Sequence, residues 1–427
     1  MNGRFDVAIV GGGMVGASLA VALDGLGLRI ALVEAIAHDD ASQPSFDERT
    51  TALSNGSRRI LETLGIWPAV SAAATPIRKI HVSDQGHFGF ARIDAGEQGL
   101  AALGHVVANR SLGNALWARL SQCANVRAVC PARVLRVDVR EESVELGVAV
   151  GAGADQAEAA TIEPTASKAA GAEEIIEARL IVAADGAHSA VRSAFGVGAE
   201  IRDYEQTAVI TAVLPQRFHD HVAYERFTDS GPLALLPLAD GRCTLVLTLK
   251  PALAELAMAW SDREFLAEVQ RRFGFRLGRF LKVGRRVPYP LSLTRSDRTS
   301  AGRCIIVGNA AQGLHPVAGM GFNLGLRDVA CLAELLAEHR GAQENDLGSG
   351  RVQAEYDAWR AADRGGIIAF TDGLVRLFSS RLAAVQHLRN LGLLAFDLAA
   401  PAKAALSRLS TGAAGRIPKL ARGVALR

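Results

Sequence analysis

Phe5-Asp-Val-Ala-Ile-Val-Gly-Gly-Gly-Met-Val-Gly16 decides how this chain folds at its start. Phe5 to Val10 is a short apolar run that reads as a strand, and Gly11-x-Gly13-x-x-Gly16 follows it directly. A helical pattern then runs from about Met14 to Leu26, and a second strand from Arg29 to Glu34. Strand, glycine turn, helix and strand in that order form a dinucleotide-binding βαβ unit. Glycines at these positions let a pyrophosphate approach the backbone and the helix N-terminus, whose N–H groups favour anions. Glu34 closes the second strand. Its carboxylate would accept from both ribose hydroxyls and repel a 2′-phosphate, so the expected nucleotide is FAD or NAD rather than NADP.

Outward from this unit the pattern changes. Ile77, Ile80 and Val82 with a Gln85-Gly86 turn predict a hairpin outside the nucleotide lobe. A helix near Ser111 to Gln122 and strands from Val126 to Val150 return to the first pattern. Gly151 to Glu174 has no apolar period and is expected to be a mobile hairpin extension without chemistry. Strands within Thr207 to Leu249 and a helix near Asp262 to Phe273 predict a β-rich second lobe. Helical patterns fill much of the chain from Phe322 onward.

A chain of 427 residues is too long for one small core. Its net charge of +3 does not argue for nucleic acid, which is not an expected partner. Five scattered cysteines form no CxxC or Cys/His cluster, so neither a disulfide frame nor a metal site is expected. No apolar run is long enough to span a bilayer, and the start of the sequence shows no signal-peptide pattern. A cytoplasmic protein, in part peripheral on the inner membrane, is the resulting expectation.

Two further motifs follow strands. Asp185-Gly186-x-x-Ser189-x-x-Arg192 comes after Leu180 to Ala183, with Ser189 placed to cap a helix. Gly308-Asn309-Ala310-Ala311 through His315-Pro316-x-x-Gly319-x-Gly321-x-Asn323 comes after Cys304 to Val307. Gly319 and Gly321 would bring backbone against a planar ring at a helix N-terminus that stabilises negative charge, which suits a reduced flavin.

These motifs, in this order, resemble those of the para-hydroxybenzoate-hydroxylase-like flavoprotein monooxygenases. The resemblance implies an α/β fold: a Rossmann-type FAD-binding domain (residues 1–75, 104–195 and 285–345), interleaved with a β-rich substrate domain (76–103 and 196–284) and followed by a C-terminal helical region (346–427). It further implies that Gly11, Gly13, Gly16 and Glu34 contact the ADP half of FAD. Arg49 and Arg110 are similar to the family's FAD-contacting arginines, Asp185 and Gly186 to its middle motif, and Gly308, Asn309, Gly319, Gly321 and Asn323 to its flavin motif. Within the family, Val82 to His87, Glu225-Arg-Phe-Thr228, Gly231 to Pro237 and Asp240 to Cys243 resemble the 2-polyprenyl-6-methoxyphenol hydroxylase group of ubiquinone synthesis. The wider family has Gly-Asp where this chain has Gly308-Asn309, and that group shares the Asn.

The resemblance implies FAD reduced by NADPH or NADH, activation of oxygen, and hydroxylation of a polyprenylated phenol. His315, with Pro316, is the nearest candidate for acid–base work; a structural hydrogen bond is the other reading of His315. Other ubiquinone precursors, a small soluble phenol, or an FAD-binding scaffold without turnover are the alternatives. Toward the C-terminus, Arg376, Arg381, Arg389, Lys403, Arg408, Arg416, Lys419, Arg422 and Arg427 face one acid in sequence, Asp397, among leucines. This predicts either a surface that approaches a membrane or a ubiquinone-biosynthesis complex, or a helical lobe with a solvated basic face.

Overall fold

In the computed structural model, residues 4–40, 43, 45–47, 49–151, 173–314, 319–340, 346–379, 383–399, 401, 403 and 416–426 are described. Phe5–Val10 is buried along nearly its whole length and pairs in parallel with Ile30–Val33 on one side and Glu173–Ala183 on the other. Strands covered on both faces read as unbroken apolar runs, which is why FDVAIV shows no alternation. Val126–Val129 and Cys304–Ile306 extend this sheet in parallel at either side. Val144–Val150 and Ala132–Val139 join it as an antiparallel pair. The helices Met14–Asp24 and Met320–His339 pack together over the sheet, with Val7, Ile9, Leu19, Leu23, Leu326 and Val329 in one apolar cluster.

A second sheet of nine strands is built on the long strand Ala199–Pro215. Cys243–Leu249, Gly231–Pro237 and Val222–Thr228 follow antiparallel to one another. The hairpin Lys79–Asp84 and Phe90–Asp94 joins in parallel beside Val222–Thr228. One face buries Leu233, Leu235, Leu245 and Leu247 against the helix Asp262–Phe273, which starts on a Ser261–Glu264 capping box. The other face packs, through Ala223 and Leu236, on Val106 and Ala52. Those two residues belong to a small third sheet, Thr50–Ser54, Gly104–Ala108 and Thr75–Ile77.

The α/β class is as expected, with one boundary corrected. Val287–Ser296 lies within 285–345, which was assigned to the FAD-binding domain, yet it pairs with Ala199–Pro215 in the second sheet. Its alternation of buried and exposed residues belongs to a half-covered antiparallel sheet. The span 152–172 of the expected hairpin extension lies outside the described residues.

Candidate active site and cofactor cleft

The first turn is built by close approach. Gly11 has φ +105, and a Cβ there would lie 2.4 Å from the Ala184 carbonyl oxygen; a Cβ on Gly16 would meet the Gly11 oxygen at 1.8 Å. Both glycines are therefore required for the turn, helix and neighbouring strand to meet at all. Gly13 differs. It is the N-cap of the helix Met14–Asp24, and a Cβ would meet only the tip of Ser45, with Oγ at 2.7 Å. That helix has no acidic residue in its first turn and no side-chain cap, so its N–H groups point into a cleft of about 520 Å³.

Gly11, Gly13, Glu34, Asp185, Gly186 and Asn309 all line this one cleft, which joins residues almost 300 positions apart. Glu34 accepts from the backbone N–H of Gly12, from Ile36 N–H at 2.9 Å and from Gln43 Nε2 at 3.3 Å. A carboxylate has about four lone-pair sites, so one remains for a ribose hydroxyl rather than the two expected. Glu34 thus also clamps the glycine turn to the end of the second strand.

The middle motif closes on itself. Ser189 caps the helix Ala190–Ala194 by accepting from Arg192 N–H at 2.9 Å, and its hydroxyl donates to Asp185. Asp185 also accepts from Val191 N–H at 3.1 Å, and burial pushes its carboxyl above the usual range. Arg192 donates to the carbonyls of Ala187 at 3.0 Å and Ala310 at 2.8 Å. The capping reading of Ser189 is therefore right, and Arg192 is present because it ties the second motif to the third.

The third motif is fixed from the long helix behind it. Asp328 accepts from Gly308 N–H at 2.9 Å and Gln312 Nε2 at 2.7 Å, and is itself paired with the fully buried Arg360 at 2.7 Å. Gly308 and Gly319 take φ +59 and +60, which glycine accepts readily; a Cβ on Gly321 would face open space. Asn323 receives Ser54 N–H and donates to Ala52 and Gly319 carbonyls, each at 2.8 Å. It pins the flavin motif to the third sheet. The side chain of Asn309 is exposed at the cleft, with no hydrogen-bond partner among the described residues. His315 and Pro316 lie outside the described residues.

The two arginines sit apart from these groups. Arg49 pairs with Asp47 at 2.7 Å and lies over the Tyr289 ring, whose hydroxyl donates to Asp47 at 2.5 Å. This cluster bridges the first region to the second sheet. Arg110 is at the start of the helix Asn109–Leu120. Neither is among the residues that line the cleft.

Sequence reasoning does not single out one further acid of the second sheet. Glu225, on Val222–Thr228, has no hydrogen-bond or ion-pair partner among the described residues, and burial raises its carboxyl to about 7. An acid between apolar positions of a buried strand was the available signal.

A turn that excludes side chains, an uncapped helix N-terminus and glycines at positive φ define a nucleotide cleft that fits FAD. The family described as FAD binding domain matches residues 4–364, and the chain belongs to it: it is an FAD-dependent oxidoreductase of the flavoprotein monooxygenase class. Its relatives narrow that class to the ubiquinone hydroxylases. The chain is 36% identical over 426 residues to ubiquinone hydroxylase UbiL of Rhodospirillum rubrum, covering 99% of this chain and 93% of that protein. It is 31% identical to the 3-demethoxyubiquinol 3-hydroxylase of Escherichia coli, over 93% of this chain and 96% of the other. The fold matches p-nitrophenol 4-monooxygenase PnpA of Pseudomonas putida, with TM-score 0.76, 19% identity, and 98% and 100% of the two chains covered.

Proposed function

We propose that the protein hydroxylates a polyprenylated methoxyphenol to the corresponding benzoquinol in ubiquinone biosynthesis, using O₂ and NADPH or NADH. The near-full-length similarity to ubiquinone hydroxylases carries this reading. When bound, FAD reduced by the pyridine nucleotide supplies two electrons to O₂, so that one oxygen reaches the ring as an electrophilic hydroxyl and the other leaves as water.

The chain's own residues bind and orient. Gly11, Gly13 and Gly16 admit the pyrophosphate to the helix N-terminus, and Glu34 takes one ribose hydroxyl. Asp185 and Gly186 shape the pyrophosphate side. Gly308, Asn309, Gly319, Gly321 and Asn323 hold the ribityl chain and ring, with Asn309 offering a neutral acceptor. Arg49 and Arg110 stand outside the lining of this cleft, Arg49 being held in the Asp47–Tyr289 bridge. His315, with Pro316, is the candidate for acid–base work that the sequence motif offers.

The test is NAD(P)H oxidation by the purified FAD protein with a short-chain prenyl methoxyphenol, followed by mass spectrometry of the product. One added oxygen from ¹⁸O₂ supports the reading. NAD(P)H oxidation that no phenol stimulates overturns it.

A further inference from the structure

The second sheet places Val82, Glu225, Ala234 and Val246 side by side on four adjacent strands, all on one face. The alternate face holds Leu233, Leu235, Leu245 and Leu247, each with no exposure. By contrast, all four members of the Glu225 row keep part of their surface accessible, and they are small or apolar apart from the acid. The row is therefore incompletely covered, unlike the face behind it.

This face lies toward the strand that the flavin motif grips. Ala223, two residues before Glu225 and on the same face, packs with Val106 and Ala52 of the third sheet. Thr244, on that face too, meets Thr50 with their hydroxyl oxygens 3.1 Å apart. The Ala52 carbonyl accepts from Asn323, and a Cβ on Gly319 would touch the Ala52 side chain at 3.2 Å. The face carrying Glu225 thus closes over the same short strand that the flavin motif grips from the other side. The neighbouring Arg226 offers no counter-charge, because it donates to the Arg272 carbonyl on the far face.

A carboxyl group in an apolar, inward-facing row with no partner is costly unless something arrives to bond it. We propose that Glu225 contacts the substrate, its carboxylate accepting the hydrogen bond and then the proton of the phenol hydroxyl. This rests on the hydroxylase reading above. As the ring carbon bonds to the incoming hydroxyl, the phenol proton moves to a Glu225 oxygen. The ring then loses its own C–H proton to water while Glu225 returns its proton to the carbonyl oxygen, giving the diol and the original carboxylate.

The test compares the FAD-loaded wild type with Glu225→Gln and Glu225→Leu, using a short-chain methoxyphenol and its O-methyl ether as probes. Binding is followed by perturbation of the flavin spectrum. A hydrogen bond to a charged acceptor corresponds to a preference for the phenol over the ether of about tenfold or more in the wild type. The expected result is that Glu225→Leu reduces this preference to about unity and diverts NAD(P)H from diol to hydrogen peroxide, with Glu225→Gln falling between. Glu225→Gln, nearly isosteric, keeps the test available if the Leu variant does not fold. Variants that keep FAD and the wild-type preference overturn the role of Glu225 while leaving the hydroxylase reading intact. A wild type that binds neither probe overturns both.

Discussion

Asp328, in the middle of the long helix Met320–His339, accepts the backbone N–H of Gly308 at 2.9 Å, so the helix that begins at one end of the flavin motif clamps the other end of it. The same carboxylate balances Arg360, and Asp363 joins Arg360 to Arg327. Cofactor motif and C-terminal helix therefore share one buried ionic network.

Asp328→Ala should leave buried Arg360 with Asp363 as its remaining acid and the Gly308 N–H without its acceptor. Breaking a buried pair costs about 3–5 kcal/mol. Urea denaturation should show a loss of that size, with FAD released at lower denaturant than in the wild type. Adding Arg360→Met should recover only part of it, since Gly308 and Gln312 stay unsatisfied. A single Asp328→Ala variant of wild-type stability would disprove the clamp.

The glycines of the first turn should separate by phenotype. Gly16→Ala drives a methyl group into the Gly11 carbonyl, so it should give insoluble or unfolded protein. Gly13→Val meets only the tip of Ser45 and should fold, but purify colourless because its side chain occupies the pyrophosphate's approach. Stoichiometric FAD in folded Gly13→Val would remove this turn from the cofactor site.

How much of this was legible in the sequence depends on the range of the interaction. Gly16 and Ser189 act through neighbours a few positions away, and the same local pattern places Gly11 and Gly13, although the atoms they clear, on Ala184 and Ser45, are distant in sequence. Glu34 was legible as the acid at the strand end, but its bonds to Gly12, Ile36 and Gln43, which use most of its acceptor sites, were not. Arg192 and Asp328 act through Ala310 and Gly308, and Val287–Ser296 through Ala199–Pro215; local sequence can show that a strand is present but does not name such distant partners. Glu225 is the clearest case, because only the sheet register shows that its row lies toward the strand that the flavin motif grips.

The raised carboxyl of Glu225 also sets a sign for stability against pH. Its folded value, about 7, is above the unfolded value of roughly 4.3, so the folded state holds a proton that the unfolded state has lost between them. Stability contributed at low pH therefore falls as pH rises through this window and is flat above it. Glu225→Gln lacks the fall. Its advantage over wild type should be absent near pH 4 and reach on the order of 3 kcal/mol by pH 8, read from chemical denaturation at each pH. An advantage independent of pH would mean that Glu225 is solvated.

Four of the nine basic C-terminal residues are paired with acids from elsewhere in the chain, while Arg422 is exposed. Arg389 pairs with Asp84, Lys403 with Glu97 at 3.1 Å, Arg416 with Glu334 at 3.5 Å and Lys419 with Glu338 at 3.5 Å, acids invisible to a local count. Arg376, Arg381, Arg408 and Arg427 fall outside what the structure describes of side chains. No described helix is long and apolar enough to cross a membrane. Instead, the helix Ala383–Leu398 docks on the hairpin of the second sheet through Asn390 and Asp397. It leaves Leu388, Leu391 and Leu398, spaced for one helical face, exposed at 69%, 57% and 86%. On the proposed function the substrate carries a polyprenyl chain that does not leave lipid freely, and this face would offer the bilayer apolar rather than ionic contact. Full burial of a leucine is worth about 1.5–3 kcal/mol, so replacing all three with serine should lower partition onto vesicles at least about tenfold even if each is only partly inserted. Binding of the wild type should change little between low and high salt, because screening acts on exposed charges. Binding that salt abolishes and the serines leave unchanged would shift the contact to the basic residues and exclude this leucine face.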